Sequence, residues 1–189
     1  MSFINVNEQL PGIRSLLAFR PEVAGPLADL ANILLRDENG LSPAEREMIG
    51  AHVSYLNDCF YCQHSHAAIA CEYLNGNTGL VEQVRIYGAE ASVSPKLSSL
   101  LRIAASVQQS GRAVTADQVL QAKGHGATDR EIHDTVLIAA LFCLFNRYVD
   151  GLAANTPTDL SSYPFRAREV VDTGYGGRAI SLAKQPDTL

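Results

Sequence analysis

At three expected helix starts along this chain a Ser or Thr is followed three residues later by Glu or Gln: Ser42 with Glu45, Thr115 with Gln118, and Thr128 with Glu131. That spacing is a capping box. The hydroxyl takes a backbone N–H of the first helical turn, and the longer side chain reaches back to the N–H of the cap. Pro43 follows Ser42, and Ser94-Pro95 repeats the Ser-Pro start, with proline where its missing N–H costs nothing. No alternating strand pattern bounded by hairpin turns competes with these signals, so the chain is predicted to be all-α. A further helix is expected in "RPEVAGPLADLANILLRDENG", ending at Asn39-Gly40, and a shorter one in "TGLVEQVRIYG", stopped by Gly88. Segment 129–150 is apolar nearly all round, through Ile132, Val136, Leu137, Leu141, Leu144, Phe145 and Val149. Such a helix belongs at the centre of a fold.

The 189 residues suffice for one domain with a real core. Residues 1–158 are expected to form that all-helical domain, with its chemistry at 59–66. Residues 159–189 carry turn formers and scattered apolar side chains, and are expected to wrap along the domain or a neighbouring subunit. A gap-free internal echo places Ser42 on Thr128 and, in the same register, Cys59 on Phe145, Cys62 on Tyr148 and His66 on Leu152. If the echo is a helical repeat, one copy alone kept reactive side chains.

Charged residues make up 19% of the chain, which is sparse, and surface covered by partner subunits would account for it. A homo-oligomer is therefore expected. The net charge of -5, without a Lys/Arg cluster, argues against a nucleic-acid partner. The start "MSFINVNEQLPGIR" lacks the basic and apolar regions of a secretory signal, and the longest apolar run, 136–145, is short for a bilayer crossing. A cytoplasmic protein with no membrane partner is expected, and four cysteines in such a chain do not read as a disulfide framework.

The stretch "NDCFYCQHSHAA" is where chemistry concentrates. Offsets of three and seven bring Cys59, Cys62 and His66 onto one helical stripe. With Asn57 or Asp58 as N-cap, Cys59 would enter the first turn, where free N–H groups and the helix dipole favour a thiolate. One sulfur can attack, the other can close a disulfide, and the imidazole can carry a proton. Cys71 and Cys143 stand alone among apolar neighbours and read as packing. His64 is expected on another face, facing solvent; His52, His125 and His133 read as structural or exposed. Zinc is the rival use, since Cys59, Cys62, His64 and His66 are enough ligands on paper. On one helix, however, His64 and His66 point about 200° apart. No metal and no cofactor are expected.

Glu47 lies twelve residues before Cys59, about 18 Å away along one continuous helix. If "NDC" turns the chain back, the geometry changes: Glu47 sits ten residues before Asn57 and His66 nine after it, so the two fall level. A carboxylate beside an imidazole orients it and raises its basicity, which makes a relay from thiol to histidine to glutamate. Alone in its first turns, Glu47 could equally serve only the helix dipole.

Glu47, Cys59, Cys62 and His66, spaced twelve, three and four, together with "CFYCQHSHAA", resemble the alkylhydroperoxidase D-like core of the carboxymuconolactone decarboxylase superfamily. The later "FNRYVDGLAANTPTDLSSYPF" is similar to its peroxidase-related branch. The resemblance covers residues from about 20 to 170. It implies an all-α bundle assembled as trimers or hexamers, and reduction of a hydroperoxide through a redox-active disulfide. It further implies that Cys62 is the peroxidatic thiol and Cys59 the more exposed resolving thiol. His66 and Glu47 would be the proton relay, and an external thioredoxin-like or lipoyl-bearing dithiol the reductant. Phe60 and Tyr61 stand between the cysteines, where the best-known members carry a histidine.

Overall fold

A computed structural model of the chain describes residues 1–176, which form nine α-helices joined by short turns, with no strand among the described residues. The helices are α1 (Ile13–Phe19), α2 (Pro21–Leu35), α3 (Pro43–Leu56), α4 (Phe60–Tyr73) and α5 (Thr78–Tyr87). They continue with α6 (Pro95–Gln109), α7 (Ala116–Gly124), α8 (Asp129–Gly151) and α9 (Tyr163–Thr173). All three capping boxes form, at Ser42, Thr115 and Thr128, each with both reciprocal hydrogen bonds. Each such cap is worth about 1 kcal/mol.

α8 lies between α3 and α6. Leu100, Leu101, Ile138 and Phe142 are fully buried there, each side chain contributing about 1.5–3 kcal/mol. By length and composition α8 would also suffice to cross a membrane, but just over half of it is buried in this core. Its outer strip is apolar too, with Leu144 half-exposed, so it does not sit wholly inside as its sequence predicts. The close approach of α8 to α3 depends on Gly50, because a Cβ there would lie 2.3 Å from the Phe142 ring.

The two echoed segments start alike and diverge later. α8 runs unbroken to Gly151, whereas α3 stops at Leu56 and the chain reverses into α4. The reversal is a Schellman turn: Cys59 N–H bonds the carbonyl of Ser54, and Asp58 N–H that of Tyr55. Asp58 takes the left-handed conformation at φ 57°, which Asp tolerates better than most residues. α3 and α4 form the most extensive helix pair, and α9 covers the other side of α4.

α2 ends at Leu35, short of the expected Asn39-Gly40. Arg36 there caps a different helix, donating to the Val170 and Val171 carbonyls of α9, and Asp37 folds back onto the Asn39 N–H. Within the expected tail, residues 163–173 are helical and bury Tyr163, Ala167 and Val170. Residues 177–189 of that tail lie outside the described residues.

Candidate functional site

The Schellman turn corrects the expected capping. Neither Asn57 nor Asp58 caps α4. Cys59 itself is the N-cap residue, extended at φ -85° and ψ 96°, and α4 starts at Phe60. Cys59 therefore precedes the first turn instead of lying in it. Asn57 turns its amide to α8, donating to Asn146 Oδ1 at 2.8 Å, while Asn146 donates on to Ser54 Oγ at 3.0 Å.

Both thiols are enclosed. Cys59 is 0% and Cys62 3% exposed, packed with Leu16, Tyr61, Val149 and Tyr163. The expectation that Cys59 is the more exposed sulfur fails here, because the turn that makes it an N-cap also buries it against α8. Asp150 at the end of α8 is a nearby acid, its carboxyl pushed above the ordinary value by burial against a smaller opposing contribution from Cys59. A hydrogen bond that holds Cys62 as the protonated partner of Cys59, and next its own burial, push the Cys62 thiol well above the ordinary value, against a smaller opposing contribution from Asn146. In this closed arrangement Cys62 rests as a thiol, with Cys59 and Asn146 as polar neighbours.

Four residues beyond Cys62 on α4, His66 Nδ1 lies 2.6 Å from Glu47 Oε2. Glu47 is fully buried and His66 nearly so. The hairpin thus brings level two residues 19 apart in sequence. The His66 ring stands edge-on to Phe142 at 4.5 Å, so the Gly50 contact that seats Phe142 also fixes one side of the imidazole.

The sequence reading missed a third member. Tyr175 donates its hydroxyl to Glu47 Oε1 at 2.5 Å and lies 3.3 Å from His66 Nδ1. Burial first, then the charge of Glu47, raise its phenol well above the usual value. Tyr175 belongs to the stretch read as a wrapping tail, and its one signal is an aromatic flanked by glycines in "DTGYGG". Asn146, buried in the C-terminal half of α8, and Asp150 near its end were also missed.

A cavity of about 280 Å³ opens beside the trio, lined by Tyr61, Ser65, His66, Tyr163, Arg166 and Tyr175 among others. The sulfurs do not line it; they pack against Tyr61 and Tyr163, which do. His64 is half-buried, against the solvent-facing expectation, because its ring packs at a tilt against Phe60 and near Tyr163. It diverges from His66, and among the described residues no group of three or more His, Cys, Asp or Glu side chains could hold a metal ion.

Residues 21–78, spanning α2 to α4 with Glu47, Cys59, Cys62 and His66, match the carboxymuconolactone decarboxylase family. No curated protein matches the chain significantly. Among solved structures it is similar to an alkylhydroperoxidase AhpD core, an uncharacterized peroxidase-related protein from Ralstonia eutropha JMP134. The two are 27% identical with a TM-score of 0.72, over 80% of this chain and 79% of that one. It is equally similar to an uncharacterized peroxidase-related protein from Silicibacter sp. TM1040, at 27% identity and a TM-score of 0.73, over 82% of this chain and 78% of that one. The all-helical fold, the four-residue motif and these matches support reading the chain as similar to alkylhydroperoxidase D-like proteins of the carboxymuconolactone decarboxylase superfamily.

Proposed function

We propose that the protein reduces hydroperoxides through a redox-active Cys59–Cys62 dithiol, with His66 and Glu47 as its proton relay. One observation carries the reading: a buried carboxylate–imidazole pair, 2.6 Å apart, whose imidazole lies on the helix turn that follows two adjoining thiols. With Glu47 ionised, Nδ1 holds the hydrogen and Nε2 is left as the basic nitrogen, which suits a general base. The relay takes the proton of Cys62. The thiolate attacks the O–O bond, becoming a sulfenic acid, and the leaving alkoxide takes up a proton as the alcohol. Cys59 then displaces water from the sulfenic acid to close the disulfide, and an external thioredoxin-like or lipoyl dithiol reopens it by exchange. Because the thiols rest buried, peroxide has to reach them by displacement of Tyr61 or Tyr163 from the cavity wall. A homo-oligomer and a cytoplasmic setting remain part of the proposal.

A second reading has its own support. Cys59 and Cys62, three residues apart and packed in one cluster, can close a disulfide by exchange with another disulfide without any peroxide. The same residues would then serve a thiol–disulfide oxidoreductase. Mass spectrometry of the reduced protein after one equivalent of peroxide separates the two. Peroxide reduction requires a Cys59–Cys62 crosslink, loss of turnover in Cys62→Ser and a trapped sulfenate in Cys59→Ser. Undiminished turnover in Cys62→Ser ends the peroxide reading, and closure by small disulfides alone favours the second.

A further inference from the structure

We infer that Tyr175 is a positioning residue for the site, acting through Glu47 to set the proton affinity of His66; this rests on reading His66 as the base. The phenol reaches Glu47 from outside the α3–α4 hairpin, on a purpose-made dock. Asn32 of α2 receives the Tyr175 N–H on Oδ1 at 2.7 Å and donates Nδ2 to the Tyr175 carbonyl at 3.0 Å. Both backbone groups of one residue are thus held by one side chain. Gly174 makes the approach feasible, with φ +84° and room for no Cβ, since one would lie 2.7 Å from Asn32 Oδ1. Arg36 closes the end of α9 just before it.

Glu47 then has both oxygens engaged, Oε1 by the phenol and Oε2 by His66 Nδ1. With His66 neutral the pair carries one negative charge, and with His66 protonated it carries none. A donor on Glu47 stabilises the negative state more, so it holds proton uptake by the pair to lower pH. The other titratable or charged groups around the trio are Tyr73 on α4, Arg36 on α2, and Arg166 with Glu169 on α9. Arg14 stands across the cavity, and α8 presents Phe142. Tyr175 is the one of these that touches both members of the pair.

The test is a pH titration of the histidine ¹⁵N resonances in reduced, peroxide-free protein. Wild type is expected to hold His66 as the Nδ1-protonated tautomer. Tyr175→Phe is expected to move the midpoint of proton uptake upward by about one pH unit. Asn32→Ala, which releases the dock but keeps the phenol, is expected to move it in the same direction. An unchanged midpoint in folded Tyr175→Phe overturns the inference; if that variant does not fold, an unchanged midpoint in Asn32→Ala does so. Since no peroxide is present, a Tyr175-dependent midpoint in a protein inert to peroxide upholds this inference while removing the proposed activity.

Discussion

Arg46 and Glu47 are consecutive on α3 and equally buried, yet they face different fates. Arg46 is saturated by groups that do not move: it donates to the carbonyls of Leu34, Asn39 and Leu41 and to Asp134 Oδ2, at 2.8–3.0 Å. Three of its four acceptors are backbone, tying the end of α2 and the α2–α3 turn to α3, while Asp134 ties in α8. Glu47 is satisfied only by groups that can hold or release a proton, His66 and Tyr175, beside a cavity. Burial alone therefore says little about purpose. What a buried charge is bonded to, and whether those partners titrate, separates a structural charge from a chemical one.

Removing Arg46 is the harshest way to break that contrast. Arg46→Ala leaves Asp134 and three carbonyls without their donor and is expected to cost about 3–5 kcal/mol in denaturant unfolding. The carboxylate keeps its contact with His133 Nδ1 at 3.0 Å, which argues for the lower part of that range. Thiol reactivity of the folded fraction should be unaltered. A loss below about 1 kcal/mol would show that the pair is not structural. Glu47→Gln reverses the pattern. The amide keeps the shape and can still accept from Tyr175, but its NH₂ donates to His66 Nδ1, forcing the hydrogen onto Nε2. Stability should fall by no more than about 2 kcal/mol, while the rate of peroxide-driven Cys59–Cys62 crosslinking falls about 10²–10⁴-fold. Equal rates in Glu47→Gln and wild type would make Glu47 another Arg46.

The same contrast explains what the sequence could disclose. Ser42, Thr115 and Thr128 were legible because a capping box is a contact between residues three apart. The meeting of Glu47 with His66 was legible for a related reason: both are counted from one turn, so a reversal near Asn57 levels them. The atoms of the turn were not legible, because Asp58 in a left-handed C-terminal position and an N-cap before α4 use the same residue types. α9 was overlooked although Tyr163, Ala167 and Val170 share one helical face, since three apolar positions over eleven residues, among Pro164, Arg166 and Arg168, make too short a stripe to stand out. Tyr175 meets Glu47 across 128 residues. Nothing local marks such a contact, and the glycines that flank the phenol mark a turn without naming its partner.

The mildest expected effect concerns which face of α3 answers to alkaline pH. Arg46 keeps its charge at every accessible pH, so its side contributes no titration. On the other side Cys62 and Tyr175 are acids held above their ordinary values. The folded chain then retains protons that the unfolded chain gives up, so stability is full below the ordinary thiol value, near 8.5, and falls as pH rises beyond it. The slope reaches at most about 1.4 kcal/mol per pH unit for the thiol, and a second contribution from Tyr175 starts above about pH 10. Denaturant unfolding of reduced protein between pH 7 and 10 measures it. Cys62→Ala should flatten the decline that begins near pH 8.5, and Arg46→Met, though less stable throughout, should keep it. Parallel curves for Cys62→Ala and wild type would mean that the buried thiol is not the group that titrates, and the division of α3 into a fixed and a protonic face would lose its thermodynamic basis.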